Sequence, residues 1–249
     1  METLSIRTSS AEVAVGPDPS WRSLYRAGGI GAALAGLLYI AALVLEFIVP
    51  PAPVAGGAAT LQYIASHRSF YILAQTLWLA PGVLLMIAFL ALPVALKHLS
   101  KSYAAIGALI GIASWALSLV WPTTGGGGHA LVYLSDQYVA ATSAAQRSAF
   151  AAAAEGFIAQ NTIPTITGIL QPAGILILSL VMLKGVFHKS VAYLGIITGI
   201  PGIVSETLRP LMGISYAVYG ILLIVWFLVI GWNLFWLASS KSSSRRYPS

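Results

Sequence analysis

The run GIGAALAGLLYIAALVLEFIV at residues 29–49 carries a single charged side chain, Glu46, close to its end. About 20 apolar residues wound as a helix rise about 30 Å, the thickness of a bilayer's hydrocarbon core. Further runs of this character cover 71–96, 103–121, 163–187, 191–208 and 213–237. In lipid, backbone N–H and C=O groups must be satisfied within the protein, so such runs fold as helices. Composition points the same way: 58% of the 249 residues are hydrophobic, 8% are charged, and mean hydropathy is +0.85. Soluble domains carry about 25% charged residues, so this chain lacks the charge to cover a water-facing surface. The expected fold class is all-α, a polytopic membrane bundle of six transmembrane helices. It forms one domain over 21–238, between a mobile N-terminal tail (1–20) and a basic C-terminal tail (239–249). The first run is longer than a signal-peptide core of about 7–15 residues and is read as a retained helix.

Lysine and arginine placement sets the direction of such a chain. With the N-terminus inside, the inner flanks hold Arg7, Arg22, Arg26, Lys97, Lys101, Lys184, Lys189, Lys241, Arg245 and Arg246. The outer side then holds only Arg68, Arg147 and Arg209. Both termini are expected in the cytoplasm, with the protein multi-pass in the cell membrane. The net charge of +6 comes from these flanking residues, a pattern of orientation and not of nucleic-acid binding. Trp21, Tyr25, Tyr103, Trp121, Trp232 and Trp236 fall near run boundaries, where amphipathic rings favour the headgroup layer.

The inner connections are short and the outer ones long, at 50–70 and 122–161. The first contains TLQYIASH, a short helix expected to be capped by Thr60. In the second, GGGGH gives a flexible exit from Pro122, and Ser143-Ala-Ala-Gln146 has capping-box spacing. It opens an alanine-rich surface helix over about 143–158, with Phe150, Ala154 and Ile158 on one face, expected to lie as an amphipathic lid on the outer surface.

Helices in lipid pack through small residues that let backbones approach. Gly28-xxx-Ala32-xxx-Gly36, Gly107-xxx-Gly111 and Gly195-xxx-Gly199 are such stripes, serving packing within the chain or, in a homo-oligomer, between chains. Pro81, Pro93, Pro172 and Pro201 each leave a carbonyl without its amide partner and bend their helices. Bent helices leave room for a cavity.

The segment MLKGVFHKSVAYLGIITGIPGIVSETLRPLMGISYAVYGILLIVWFLVIGWNLFWL, with the loop YLSDQYVAATSAAQRSAFAAAAEGF, resembles a large family of uncharacterised six-helix integral membrane proteins of bacteria and archaea. The likeness covers residues 22–238. It implies a basic turn between the fourth and fifth spans, then a glycine-rich helix, and an alanine-rich acidic helix in the long outer loop. It implies no activity and no site residues.

SETLRP, at 205–210, places Glu206 and Arg209 three positions apart on one helix face. At an effective dielectric near 20 and about 4 Å, such a pair attracts by about 4 kcal/mol before desolvation. Glu46 lies at the same expected depth, and Arg68 opens the second span from that side. Intramembrane ionisable groups are the first suspects for a site, and these are expected to meet at the outer rim. Gln75, Thr76, Gln171, Tyr216 and Tyr219 add polar groups at that depth. The candidate ligand-binding residues are therefore Glu46, Arg68, Gln75, Gln171, Glu206, Arg209 and Tyr216.

Other chemistries lack their residues. There is no cysteine, hence no disulfide, thiolate or thiol nucleophile. His67, His98, His129 and His188 lie at boundaries, unlike haem ligands within spans. His129 with Glu46 and Glu206 offers zinc ligands, but no close-spaced set such as HExxH accompanies them. No lysine lies mid-span, and GGGGH lacks the Gly-Lys-Ser/Thr of a P-loop. No cofactor, catalytic residue or metal is expected. The expected function is binding or passage of a small amphipathic or lipidic molecule in an outward pocket, with membrane lipids as surroundings. The alternatives are a structural or self-associating scaffold, and a membrane-embedded acid–base enzyme using Glu46 or Glu206.

Overall fold

The structure is a computed structural model and describes residues 17–53, 56–120, 128–162 and 164–239, apart from the side chains of 161, 162 and 214. The described residues are predominantly helical and contain no strand. In chain order the helices are α1 (Arg22–Ile48), α2 (Gly57–Ser66), α3 (Arg68–Leu79), α4 (Pro81–Leu96), α5 (Lys101–Val120) and α6 (Ala130–Ala140). There follow α7 (Ala144–Thr162), α8 (Ile166–Met182), α9 (Lys189–Thr207), α10 (Arg209–Met212) and α11 (Tyr216–Ser239). By length and composition four helical stretches can cross a membrane: Pro19–Ile48, Arg68–Leu96, Lys101–Val120 and Tyr216–Ser239. Two of the expected runs differ. α8 is apolar but short, because the turn beyond it contains Gly185 at φ +106°, which ends the helix at Met182. α9 is diluted by Thr198, Pro201, Ser205 and Glu206.

Packing runs from α1 to α4, on to α5, α8, α9 and α11, and back to α1. Glycines set the closest approaches. A Cβ at Gly231 of α11 would lie 2.7 Å from the Ala33 backbone nitrogen of α1, and one at Gly29 would lie 2.6 Å from that of Phe235. A Cβ at Gly111 would meet the Phe89 ring of α4 at 2.1 Å, and one at Gly195 would meet the Ser179 hydroxyl of α8 at 1.9 Å. The small-residue stripes read from the sequence thus face neighbouring helices of the same chain. Between these seams sits an aromatic core in which Phe227 lies 5.6 Å from Trp226, 5.8 Å from Trp115 and 6.1 Å from Tyr39, centre to centre. Offset and edge-on pairs of this kind add about 0.5–1.5 kcal/mol each beyond their buried area.

The second expected run is divided into two helices, α3 and α4. Ala80 links them, and Pro81 stands at the first position of α4, where its missing N–H costs nothing. At the far end of α4, Lys97 reaches Asp18 at 3.4 Å and lies over the Trp21 ring. Ser20 donates from its amide and its hydroxyl to Asp18, which holds that carboxyl below its ordinary value. Trp21, Tyr103, Trp232 and Trp236 are exposed, but Tyr25 is buried against the core, so it is a packing residue and not a boundary anchor. Trp121, most of GGGGH and most of both expected tails lie outside the described residues.

The other end of the helix ring carries a cap of three helices where two were expected, a short one in 50–70 and the lid helix; α6 is the addition. α2, α6 and α7 enclose their own small core of Leu61, Ile64, Leu131, Val132 and Ala154. The α7 capping box forms as the sequence predicts: the Gln146 amide donates to Ser143 Oγ at 3.2 Å, and the Ser143 amide donates back to Gln146 Oε1 at 3.4 Å. Ala154 and Ile158 are buried beneath α7 and Phe150 packs beside them. Thr60 does not cap α2. The helix begins three residues earlier, and Thr60 Oγ1 donates back to the Gly56 carbonyl at 3.0 Å. The cap comes instead from α7, whose Glu155 Oε1 accepts the Gly57 amide at 2.5 Å. A carboxylate there also complements the positive end of the α2 dipole. A residue 98 positions away supplies this cap, beyond the reach of local pattern.

Ser143→Ala removes one half of the α7 box. The expected cost is about 1 kcal/mol, read as faster amide hydrogen exchange confined to residues 144–147.

Candidate functional site

A cavity of about 740 Å³ lies at the capped end of the helix ring, within the range of about 300–1,000 Å³ usual for ligand sites. Five helices of the ring give it walls, Glu46 from α1, Trp115 from α5, Gln171 from α8, Glu206 from α9 and Tyr219 from α11, and α3 adds Gln75 and Trp78 in place of α4. Pro50, Pro51 and Tyr63 of the cap form its roof, and the Tyr63 hydroxyl is tied to the Pro50 carbonyl. The lining also includes Phe47 and Ile221, which are 90% and 56% exposed. The cavity therefore reaches the outer face of the ring between the capped ends of α1 and α11. Deeper in, these helices close on each other at Gly36, where a Cβ would lie 2.7 Å from Leu228.

SETLRP builds one wall. Arg209 Nη2 lies 3.0 Å from Glu206 Oε2 and 3.3 Å from Oε1. Tyr216 completes a triangle, donating to Glu206 Oε1 at 2.5 Å and accepting from Arg209 Nη2 at 2.8 Å. The pair spans the end of α9 and the start of α10, and its side chains are 5% and 12% exposed for Glu206 and Arg209. Glu206 also rests on the first turn of α8: a Cβ at Gly168 would lie 2.4 Å from its Oε2. Only glycine permits that approach, and the N-terminal dipole of α8 favours the negative charge. The Arg209 guanidinium lies 5.1 Å from the Tyr216 ring centre, a cation–π distance.

Of the residues singled out by sequence, Glu46, Gln75, Gln171, Glu206, Arg209 and Tyr216 all line this one cavity. Arg68 does not. It pairs with Asp136 of α6, with both side chains about half exposed, because the long loop folds back as α6 and presents a nearer carboxylate. Exposed pairs of this kind contribute about 0–1 kcal/mol. Glu46 does not join the Glu206–Arg209 pair either. It accepts the Trp78 indole N–H at 2.8 Å and, among the described residues, makes no ion pair. His129 lies 3.4 Å from Thr76 and is not on the cavity wall. No group of three metal-ligating side chains occurs among the described residues.

Sequence reasoning singled out Tyr216 and Tyr219 but missed the other aromatic residues of the wall. Tyr39 and Trp78, 5.5 Å apart, both line the cavity, and Tyr219 stands edge-on to Tyr216 at 5.9 Å. The Tyr219 hydroxyl and the Trp115 indole N–H are buried on this wall without a hydrogen-bond partner among the described residues. Such an atom costs about 1–3 kcal/mol unless something polar meets it.

Comparison with family models, curated proteins and solved structures finds no match to the chain.

Proposed function

We propose that this is a multi-pass membrane protein that binds a small amphipathic or lipidic molecule in the cavity beneath its cap. In this reading α8 and α9 also cross, giving six crossings with both termini in the cytoplasm and the cap outside. Lysine and arginine placement supports that direction. α8 is short, but a short span is accommodated by local thinning of the bilayer. The observation that carries the function is the cavity itself. It is largely apolar and aromatic, and it holds one internally paired polar cluster. An amphiphile supplies both chemistries at once.

A scaffold reading has less support, because the small-residue stripes are already packed within the chain. The enzyme reading has less too, because Arg209 and Tyr216 already engage Glu206.

Gly220 gives a clean test. It lines the cavity, and a Cβ there meets nothing within 4 Å. Gly220→Trp should fill the space between the capped ends of α1 and α11 while leaving the fold intact. Equilibrium binding of a radiolabelled ten-carbon amphiphile to the full chain in nanodiscs, corrected with empty discs, is expected to fall at least tenfold. Unchanged binding would remove the cavity as the site.

A further inference from the structure

Three charged side chains line the cavity: Glu46, Glu206 and Arg209. The last two neutralise each other and are locked together through Tyr216. Glu46 is left as the one charge on the wall that no cation balances among the described residues. Among the described residues its only hydrogen bond is from Trp78 Nε1, which leaves lone pairs on the carboxylate for a further donor or cation. The Trp78 ring that makes this bond lies 5.5 Å from the Tyr39 ring, and both rings line the cavity. Aromatic faces beside a carboxylate form a setting that attracts ammonium groups, since the ring quadrupole and the negative charge act in the same sense. Glu46 also lies one residue before Phe47, at the place where the cavity reaches the outer face of the ring. A molecule entering sideways from the lipid between α1 and α11 would thus pass Glu46 with its polar end while its chain lay along the apolar wall.

We infer that the cavity selects amphiphiles with a positively charged ammonium head, held by the Glu46 carboxylate and the Trp78 and Tyr39 rings. This deepens the proposed function and rests on it. An anionic head is disfavoured, because Arg209 already has its carboxylate and a second negative charge would face Glu46 across a low-dielectric space.

The test compares decyltrimethylammonium, decanol and decyl sulfate, which share a chain and differ in head charge. Each is titrated into nanodiscs holding the full chain, with empty discs as background. The cation is expected to bind at least tenfold tighter than decanol, and decyl sulfate most weakly. Glu46→Gln keeps the shape and an acceptor for the Trp78 N–H; it should erase the preference for the cation over decanol, both measured on that variant. Glu46→Asp, which keeps the charge, should retain most of the preference. Equal affinity for the three, all abolished by Gly220→Trp, would overturn the ammonium selectivity and leave the cavity reading standing. A preference for decyl sulfate would likewise overturn it. Binding of all three that Gly220→Trp leaves untouched would overturn both.

Discussion

Arg209→Met is expected to destabilise the protein by about 3–5 kcal/mol, the usual consequence of removing one partner of a buried ion pair. Glu206 would remain buried against the first turn of α8, with Tyr216 its only other donor in the triangle. The second substitution separates this account from a simple loss of packing. Glu206→Gln added to Arg209→Met removes the stranded charge, keeps an acceptor for the Tyr216 hydroxyl, and should recover at least half of the loss. The measurement is the temperature at which half of the purified protein leaves the monodisperse peak on size exclusion. An Arg209→Met variant as stable as the parent would show that the pair holds nothing together.

The α1–α11 seam gives the other large effect. Gly231→Leu should cost about 3 kcal/mol or more, at or beyond the upper end of ordinary overpacking, because the obstacle is backbone. The added Cβ would sit 2.7 Å from the Ala33 nitrogen and 2.9 Å from the Gly29 carbonyl oxygen. Neither can rotate away, so the helices must part, and the closure below the cavity goes with them. Loss of the monodisperse peak at a temperature where Gly220→Leu keeps it is the expected pattern. The control is apt because a Cβ at Gly220 meets open space.

The elements that the sequence made legible are those whose signals are local. The capping box at Ser143 reports its helix within four residues, and apolar length reports α1, α5 and α11. Glu206 and Arg209 were readable as partners because helix geometry alone brings positions three apart together. Gln75, Gln171 and Tyr216 were readable by depth, since polar side chains at one level of a closed ring must point toward one another or into lipid. What stayed hidden depends on how distant segments fold back. α6 has no cap signature, so Asp136 was not available as a partner for Arg68. The Glu155 cap on Gly57 comes from another helix, and without it Thr60 was the nearest residue of capping type. Tyr25 carries the same boundary signal as Trp21, but only its place on the buried face of α1 tells them apart. The walls of the cavity were hidden for a further reason. Aromatic residues in an apolar run look alike whether they face core, cavity or lipid, and only the closing of α1 against α11 sorts Tyr39 from Trp232.

An outward cavity reached from outside the cell is the centre of the account, and a chain without cysteine allows it to be probed by one reporter. Ala217 lines the cavity and is exposed. Ala217→Cys should react with a membrane-impermeant maleimide added to intact cells, and decyltrimethylammonium below its lytic concentration should slow that reaction at least fivefold. Labelling that appears only after the cells are opened, or that proceeds at the same rate with the amphiphile present, would contradict it.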